Sequence, residues 1–346
     1  MDWCSLNYGA ELTEFPTDKL NIMQIELLEK LRCPLTGQRL VFSGDVPSQV
    51  IDGMLTSEDG SQQYPIRGEI PRFVPESNYA DSFGLQWNKF RKTQLDSYSG
   101  QPISADRFWN ATGWNPDAMK NKWVLDAGCG AGRFAEIALS SGANVVALDY
   151  SSAVDACWAN LRDHANLHVI QGDIYALPFA PETFDFVYSL GVLQHTPDVK
   201  AAFAALPPLL GQNGQLCVDY YEKTWKSLFL PKYWLRPLTK RLPKEWLFEN
   251  LEKQIPTLLG VSDAFSKVPA IGSLLKRIVP VVNYRGIYSL SEEQLYEWAL
   301  LDTFDMFSPA YDEPQNQEAV EKWMKKAGLR DIETLTVGHL VARGKI

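Results

Sequence analysis

The sequence predicts an α/β fold built on parallel strands. Three observations predict it. An apolar run, Val124-Leu125, meets Asp126 and then alternating glycines, Gly128, Gly130 and Gly132, before the helix-like run Phe134-Ala135-Glu136-Ile137-Ala138-Leu139. That order is a strand, a tight turn and a helix N-terminus, and glycine lets the backbone turn sharply and a ligand approach it closely. Two further buried-type strands end in acids: Asn144 to Asp149, and Leu167 to Ile170 followed by Gly172-Asp173-Ile174.

The glycine spacing is D-x-G-x-G-x-G rather than the G-x-G-x-x-G that cradles a pyrophosphate. An acid inside the loop disfavours a phosphate and suits a ligand ammonium. Asp149 stands about 20 residues after the first glycine, where an acid bonds ribose hydroxyls. Asp173 is placed to accept from an adenine amine. An amino-acid end, a ribose and an adenine together describe S-adenosyl-L-methionine.

These residues resemble the motifs of class I S-adenosylmethionine-dependent methyltransferases, in particular the ubiquinone/menaquinone-type. Asp126 to Gly132 is similar to the first motif, Asp149 to the second and Gly172-Asp173-Ile174 to the third. Thr183 to Ser189 resembles the fourth, and Leu206 to Asp219 the region of the fifth strand. The resemblance covers 119–221. It implies a Rossmann-like, seven-stranded class I methyltransferase sheet whose last strand is antiparallel. It also implies a methyl transfer that leaves S-adenosyl-L-homocysteine. The cofactor-binding residues it points to are Asp126, Gly128, Cys129, Gly130, Gly132, Arg133, Asp149, Tyr150, Asp173, Ile174, Ser189, Leu190 and Gly191.

Five domains or segments are expected in order. Residues 1–77 form a small β-rich module of short strands punctuated by Gly and Pro, after a helix over 22–31 that includes Ile22 and Ile25. It resembles the zinc-ribbon-like tRNA-methyltransferase activator proteins. Only Cys33 remains of the two Cys-x-x-Cys pairs, with Thr36, Ser57 and Gly60 at the other places, so no metal is expected. Residues 78–118 form an aromatic cap. In it Trp87, Arg91 and Gln94, at i, i+4 and i+7, share one helix face and are the candidates for lining a site; the alternative for most of these aromatics is interface packing. Residues 119–221 are the cofactor-binding core. Residues 222–288 are a helical insertion after the fifth strand, and 289–346 return to the core with a capped helix at Ser291, a helix over 317–326 and a closing hairpin.

The insertion holds twelve Lys or Arg against five Asp or Glu, net +7 in a chain of net charge −9. Led by Trp225, Leu228, Phe229, Leu230, Tyr233, Trp234 and Leu235, it reads as a helical lid. Alternatively it is a surface for peripheral contact with anionic lipid. The acidic balance of the whole chain argues against nucleic acid as a partner, and no run is long and apolar enough for a transmembrane segment. Five scattered cysteines, Cys4, Cys33, Cys129, Cys157 and Cys217, fit free thiols in a cytoplasmic setting.

For the chemistry, the loop Ser189 to Asp198 leaves the fourth strand where ligands sit. It is not Asn-Pro-Pro-Tyr and carries no Pro-Cys nucleophile. His195 is either a general base or a residue that caps a helix or bonds a carbonyl. Tyr220 and Tyr221 are the other candidate catalytic groups, and Asp302, Asp305 and Tyr311 candidate substrate contacts. The expected reaction is methyl transfer to O, N or C of a small or medium-sized, lipid-linked or glycosidic metabolite. An RNA methyltransferase, a non-catalytic binder and non-methylating chemistry are the alternatives.

Overall fold

The computed structural model describes residues 26–43, 52–75, 80–223 and 231–346. Ile22, Ile25, Cys4, Trp225, Leu228, Phe229 and Leu230 lie outside them. The described residues form two sheets. The first is antiparallel, with β1 (Leu40–Ser43), β2 (Gly53–Ser57), β3 (Gln63–Arg67) and β4 (Ile70–Pro71) in that order.

The second sheet has seven strands: β5 (Trp123–Ala127), β6 (Asn144–Asp149), β7 (Leu167–Gln171), β8 (Phe184–Ser189), β9 (Leu210–Tyr220), β10 (Arg330–Val337) and β11 (His339–Lys345). Their spatial order is β10-β11-β9-β8-β5-β6-β7. β5 to β9 are parallel, and β11 runs antiparallel between β9 and β10. This is the Rossmann-like arrangement with an antiparallel closing strand. The central strands read as near-continuous apolar runs because helices cover both faces; every residue of β7 is buried.

The small sheet is docked on the edge of the large one. Arg72 bridges Gln171 in parallel, and the Phe73 N–H donates to the Gln171 carbonyl at 2.8 Å. The Arg72 guanidinium also donates to Gln171 Oε1 at 2.8 Å and pairs with Asp155 at 2.6 Å. The module thereby covers an edge of β7 that would otherwise expose unpaired backbone groups. In it the Cys33 thiol contacts the Tyr64 hydroxyl at 3.3 Å, and the Ser57 hydroxyl donates to Asp59.

The main helices are α1 (Asp81–Lys89), α2 (Ile103–Thr112), α3 (Arg133–Ser140), α4 (Ala153–Leu161), α5 (Val199–Ala204), α6 (Pro231–Thr239), α7 (Lys244–Ser266), α8 (Gly272–Ile278), α9 (Glu292–Phe307) and α10 (Gln317–Lys326). Helices α6 to α8 form the insertion that follows β9. Its anchor is a stripe on α7, Leu247, Leu251, Ile255 and Leu259, spaced every four residues. With Phe248 it packs on Ala299, Leu300, Phe304 and Phe307 of α9. Helix α9 begins with the expected capping box, Ser291 and Gln294 bonding each other's backbone N–H.

Candidate active site

The chain order reverses between β5 and β8, and in open α/β sheets ligands bind at the carboxyl ends of the strands at such a point. A cavity of about 530 Å³ opens there, within the size range of small-molecule sites. It has two ends.

One end is built from the glycine loop. Gly128 has φ +98° and Gly130 φ +53°, conformations that L side chains rarely adopt. A Cβ on Gly128 would stand 2.4 Å from Val192, and one on Gly130 would stand 3.1 Å from the Trp87 ring. The Gly130 N–H donates to Asp149 Oδ2 at 3.0 Å, while Asp149 Oδ1 accepts from the Ser151 N–H and hydroxyl. Asp149 thus ties the end of β6 to the loop after β5. Burial raises its carboxyl pKa, against those same bonds. Cys129, Tyr150, Gly172, Ile174, Leu190 and Gly191 complete this end, and Arg133 begins here and extends its guanidinium to the other.

The other end is assembled from distant elements. Asp219, at the end of β9, accepts from the Arg107 guanidinium at 2.8 Å and from the Gly191 N–H. Its Oδ2 lies 3.3 Å from His339 Nδ1, and Arg107 lies 3.1 Å from the same nitrogen. Burial would raise the Asp219 pKa, but Arg107, His339 and the Gly191 N–H hold it well below the usual carboxylate range. Asp302 accepts from Gln94 at 3.1 Å and from the Tyr284 hydroxyl. Burial pushes its carboxyl up to about 6 despite the Tyr284 bond. Arg133 donates to Ser104 and to Gln94, both at 2.9 Å. Tyr284, Tyr288 and Trp298 stack edge and face at 5.2–5.4 Å, and the Arg133 guanidinium lies over Trp298 at 5.4 Å.

His195 stands in the cavity wall. Its Nδ1 is 3.0 Å from the Tyr311 carbonyl oxygen, an acceptor only, so Nδ1 carries the hydrogen. In the neutral ring Nε2 is then the nitrogen without a hydrogen, and it is buried with no hydrogen-bond partner among the described residues. Of the two readings of His195, the structure shows the bond to a backbone carbonyl. Phe83 and Tyr221 flank the ring at 5.5 and 5.4 Å.

Of the residues singled out from sequence, Cys129, Arg133, Asp149, Tyr150, Ile174, Leu190, Gly191, Trp87, Gln94, His195, Tyr221, Asp302 and Asp305 line the cavity with Gly128 and Gly130. Others do not. Asp126 is buried beneath the loop beside Tyr188, and burial pushes its carboxyl up to about 8, so it does not face a ligand ammonium. Gly132 is the N-cap of α3. The Ser189 hydroxyl donates to the Ala127 carbonyl. Asp173 accepts from the Tyr175 N–H. Tyr220 is buried against Trp323 on the opposite face, because successive strand residues alternate. Arg91 falls outside because α1 ends at Lys89; it bonds Asn160, which in turn donates to the Ala131 carbonyl. Tyr311 contributes its carbonyl, and its side chain is not in the cavity wall.

Sequence reading missed Arg107, Asp219, Lys232, Arg236, Tyr284 and His339, all near or in the cavity wall. Polar residues without a local pattern give no periodic signal. They meet only when β9, β11 and the insertion are packed together.

A family model described as a methyltransferase domain matches residues 125–218. The ubiquinone biosynthesis O-methyltransferase of Bartonella quintana is 31% identical over 135 residues, 36% of this chain and 52% of the relative. The demethylmenaquinone methyltransferase of Thermobifida fusca is 33% identical over 120 residues, 34% and 51% of the two chains. The sterol 24-C-methyltransferase of Saccharomyces cerevisiae is 30% identical over 138 residues, 37% and 36%. The chain spans about half or less of the length of these curated relatives. The match to a methyltransferase domain is thus confined to residues 125–218, the stretch that carries the glycine loop and the strand-end acids.

Proposed function

We propose that the chain transfers a methyl group from S-adenosyl-L-methionine to a hydroxyl on a small acceptor with an apolar or aromatic body, and that His195 is the general base. The observation that carries this reading is the orientation of His195. Its Nδ1–H is fixed on the Tyr311 carbonyl, and its buried Nε2 has no hydrogen-bond partner among the described residues, in a residue of the cavity wall.

The residues at the loop end fit the cofactor. Side chains at Gly128 or Gly130 would collide with Val192 and Trp87, so bare glycine backbone is what lets this loop close beneath the cavity wall where the cofactor's amino-acid end would lie. Asp149 would hold the ribose, and Ile174 and Leu190 would flank the adenine. The cofactor supplies an electrophilic methyl group on a sulfonium, so the protein's task is alignment and proton removal. Tyr284, Tyr288, Trp298 and Met306 give the acceptor end an apolar, aromatic surface that suits a ring. His195 Nε2 takes the hydroxyl proton as the oxygen becomes the nucleophile, and passes it to water afterwards. Relatives named for ubiquinone, demethylmenaquinone and sterol methylation support an acceptor of this character.

The test is S-adenosylhomocysteine formation with a panel of hydroxylated ring acceptors. His195→Ala is expected to lower kcat by about 100-fold with S-adenosylhomocysteine affinity unchanged. Unchanged turnover, or a loss confined to cofactor affinity, refutes the base.

A further inference from the structure

Ten of the fifteen exposed large apolar side chains among the described residues lie between 234 and 287. Single exposed apolar residues are ordinary on a protein surface, but clusters are not. These fall mainly into two stripes. On α6, Trp234, Leu235 and Leu238 share the outer face. On α8 and the turn before it, Ile271, Leu274 and Ile278 recur at helical spacing, with Val268 just ahead.

Charge follows the same stretches. Residues 223–244 hold seven Lys or Arg and no acid, and residues 264–284 hold three and no acid. Lys240 and Arg241 are exposed beside the first stripe, Lys267 and Arg277 beside the second. Of the exposed acids of the insertion, Glu245, Glu249 and Glu252 sit on the first half of α7 and Glu222 just before the first stretch, all outside both stretches.

We propose that the outer faces of α6 and α8 seat the protein on an anionic lipid surface. Apolar residues flanked by cations on short helices are the pattern of an element lying in the membrane interface, and cations near such a surface add attraction. The apolar side chains stand out from the surface rather than lining a depression: Trp234 is 67%, Leu238 68% and Leu274 63% exposed. A fluid lipid boundary accommodates such ridges, whereas a protein partner needs a matching groove. Among the described residues no helix is long and apolar enough to cross a membrane, so the protein lies on the surface.

The inner side of α6 connects this contact to the cavity. Lys232 and Arg236 line it, both pair with Asp312, and Arg236 also donates to the Met306 carbonyl at 2.9 Å. One helix thickness therefore separates the lipid-facing ridge from the acceptor end. Resting on the methyl-transfer reading above, this placement gives an acceptor dissolved in lipid a short path to the site.

The test is co-sedimentation of the full chain with vesicles at low salt, with no acceptor present, so that it reads the surface apart from the chemistry. Binding is expected to phosphatidylglycerol–phosphatidylcholine vesicles and not to phosphatidylcholine alone. Leu238→Glu and Leu274→Glu should each weaken it about tenfold, and Lys240→Ala about fivefold, with S-adenosylhomocysteine affinity unchanged as the check on folding. Wild-type protein that stays in the supernatant with both vesicles overturns the proposal, as do variants that bind like wild type. A solution dimer dissociated by Leu238→Glu, with no vesicle binding, would assign the face to a second copy instead.

Discussion

The two ends of the cavity are built differently. The cofactor end comes from one run of chain, the loops after β5, β6, β7 and β8, and its geometry is set by backbone. Gly128 and Gly130 adopt left-handed φ, and Asp149 is bonded to the Gly130 N–H. The acceptor end is set by side chains brought together from far apart: Arg107 meets Asp219 across 112 positions, and Gln94 meets Asp302 across 208. A backbone-built end tolerates little change in shape. A side-chain-built end can change its polar groups and so its acceptor while keeping the same cofactor.

Substitutions separate the two ends. The largest effect is expected for Gly128→Ala. Its Cβ needs a strained φ and meets Val192 at 2.4 Å, so S-adenosylhomocysteine affinity should fall by about two orders of magnitude in a calorimetric titration. A small loss would mean that the loop relaxes and that the end is less rigid than its geometry indicates. Asp302→Asn belongs to the other end. It should raise the acceptor KM about tenfold, the scale of one buried bond to a charged group, and leave cofactor affinity alone. Equal losses in both would erase the distinction between the ends.

A smaller effect concerns stability beneath the site. His168 in β7 is buried against Trp123, and burial lowers its pKa to about 4. The unfolded chain takes up a proton near pH 6.5, the folded chain only near 4. Stability therefore falls as pH drops through that window, by about 3 kcal/mol at most. Thermal unfolding of His168→Gln should be flatter between those pH values than that of wild type. An identical pH profile would remove His168 from the account.

The same division explains what was legible in the sequence. Glycine and acid positions at strand ends follow from backbone rules, so the parallel strands β5, β6 and β7 and the turn after β5 could be read directly, while the seven-stranded sheet with its antiparallel last strand followed from the family resemblance. Asp126 was legible as a motif member but not as a buried one, since its spacing does not say which side of the loop it occupies. Tyr220 and Tyr221 were indistinguishable until the sheet fixed which face each takes. The stop of α1 at Lys89, which removes Arg91 from the cavity, has no strong breaker after it; Phe90 follows as the C-cap. His339 and Arg107 carry no local mark at all, because their roles arise only from packing β11 and α2 against β9.

The most direct measurement is calorimetry with S-adenosylhomocysteine on wild type, Asp149→Ala and Tyr284→Ala. The two-ended cavity predicts binding by wild type, loss in Asp149→Ala, and affinity within about twofold of wild type in Tyr284→Ala. Absence of binding by wild type, or equal loss in both variants, would contradict it.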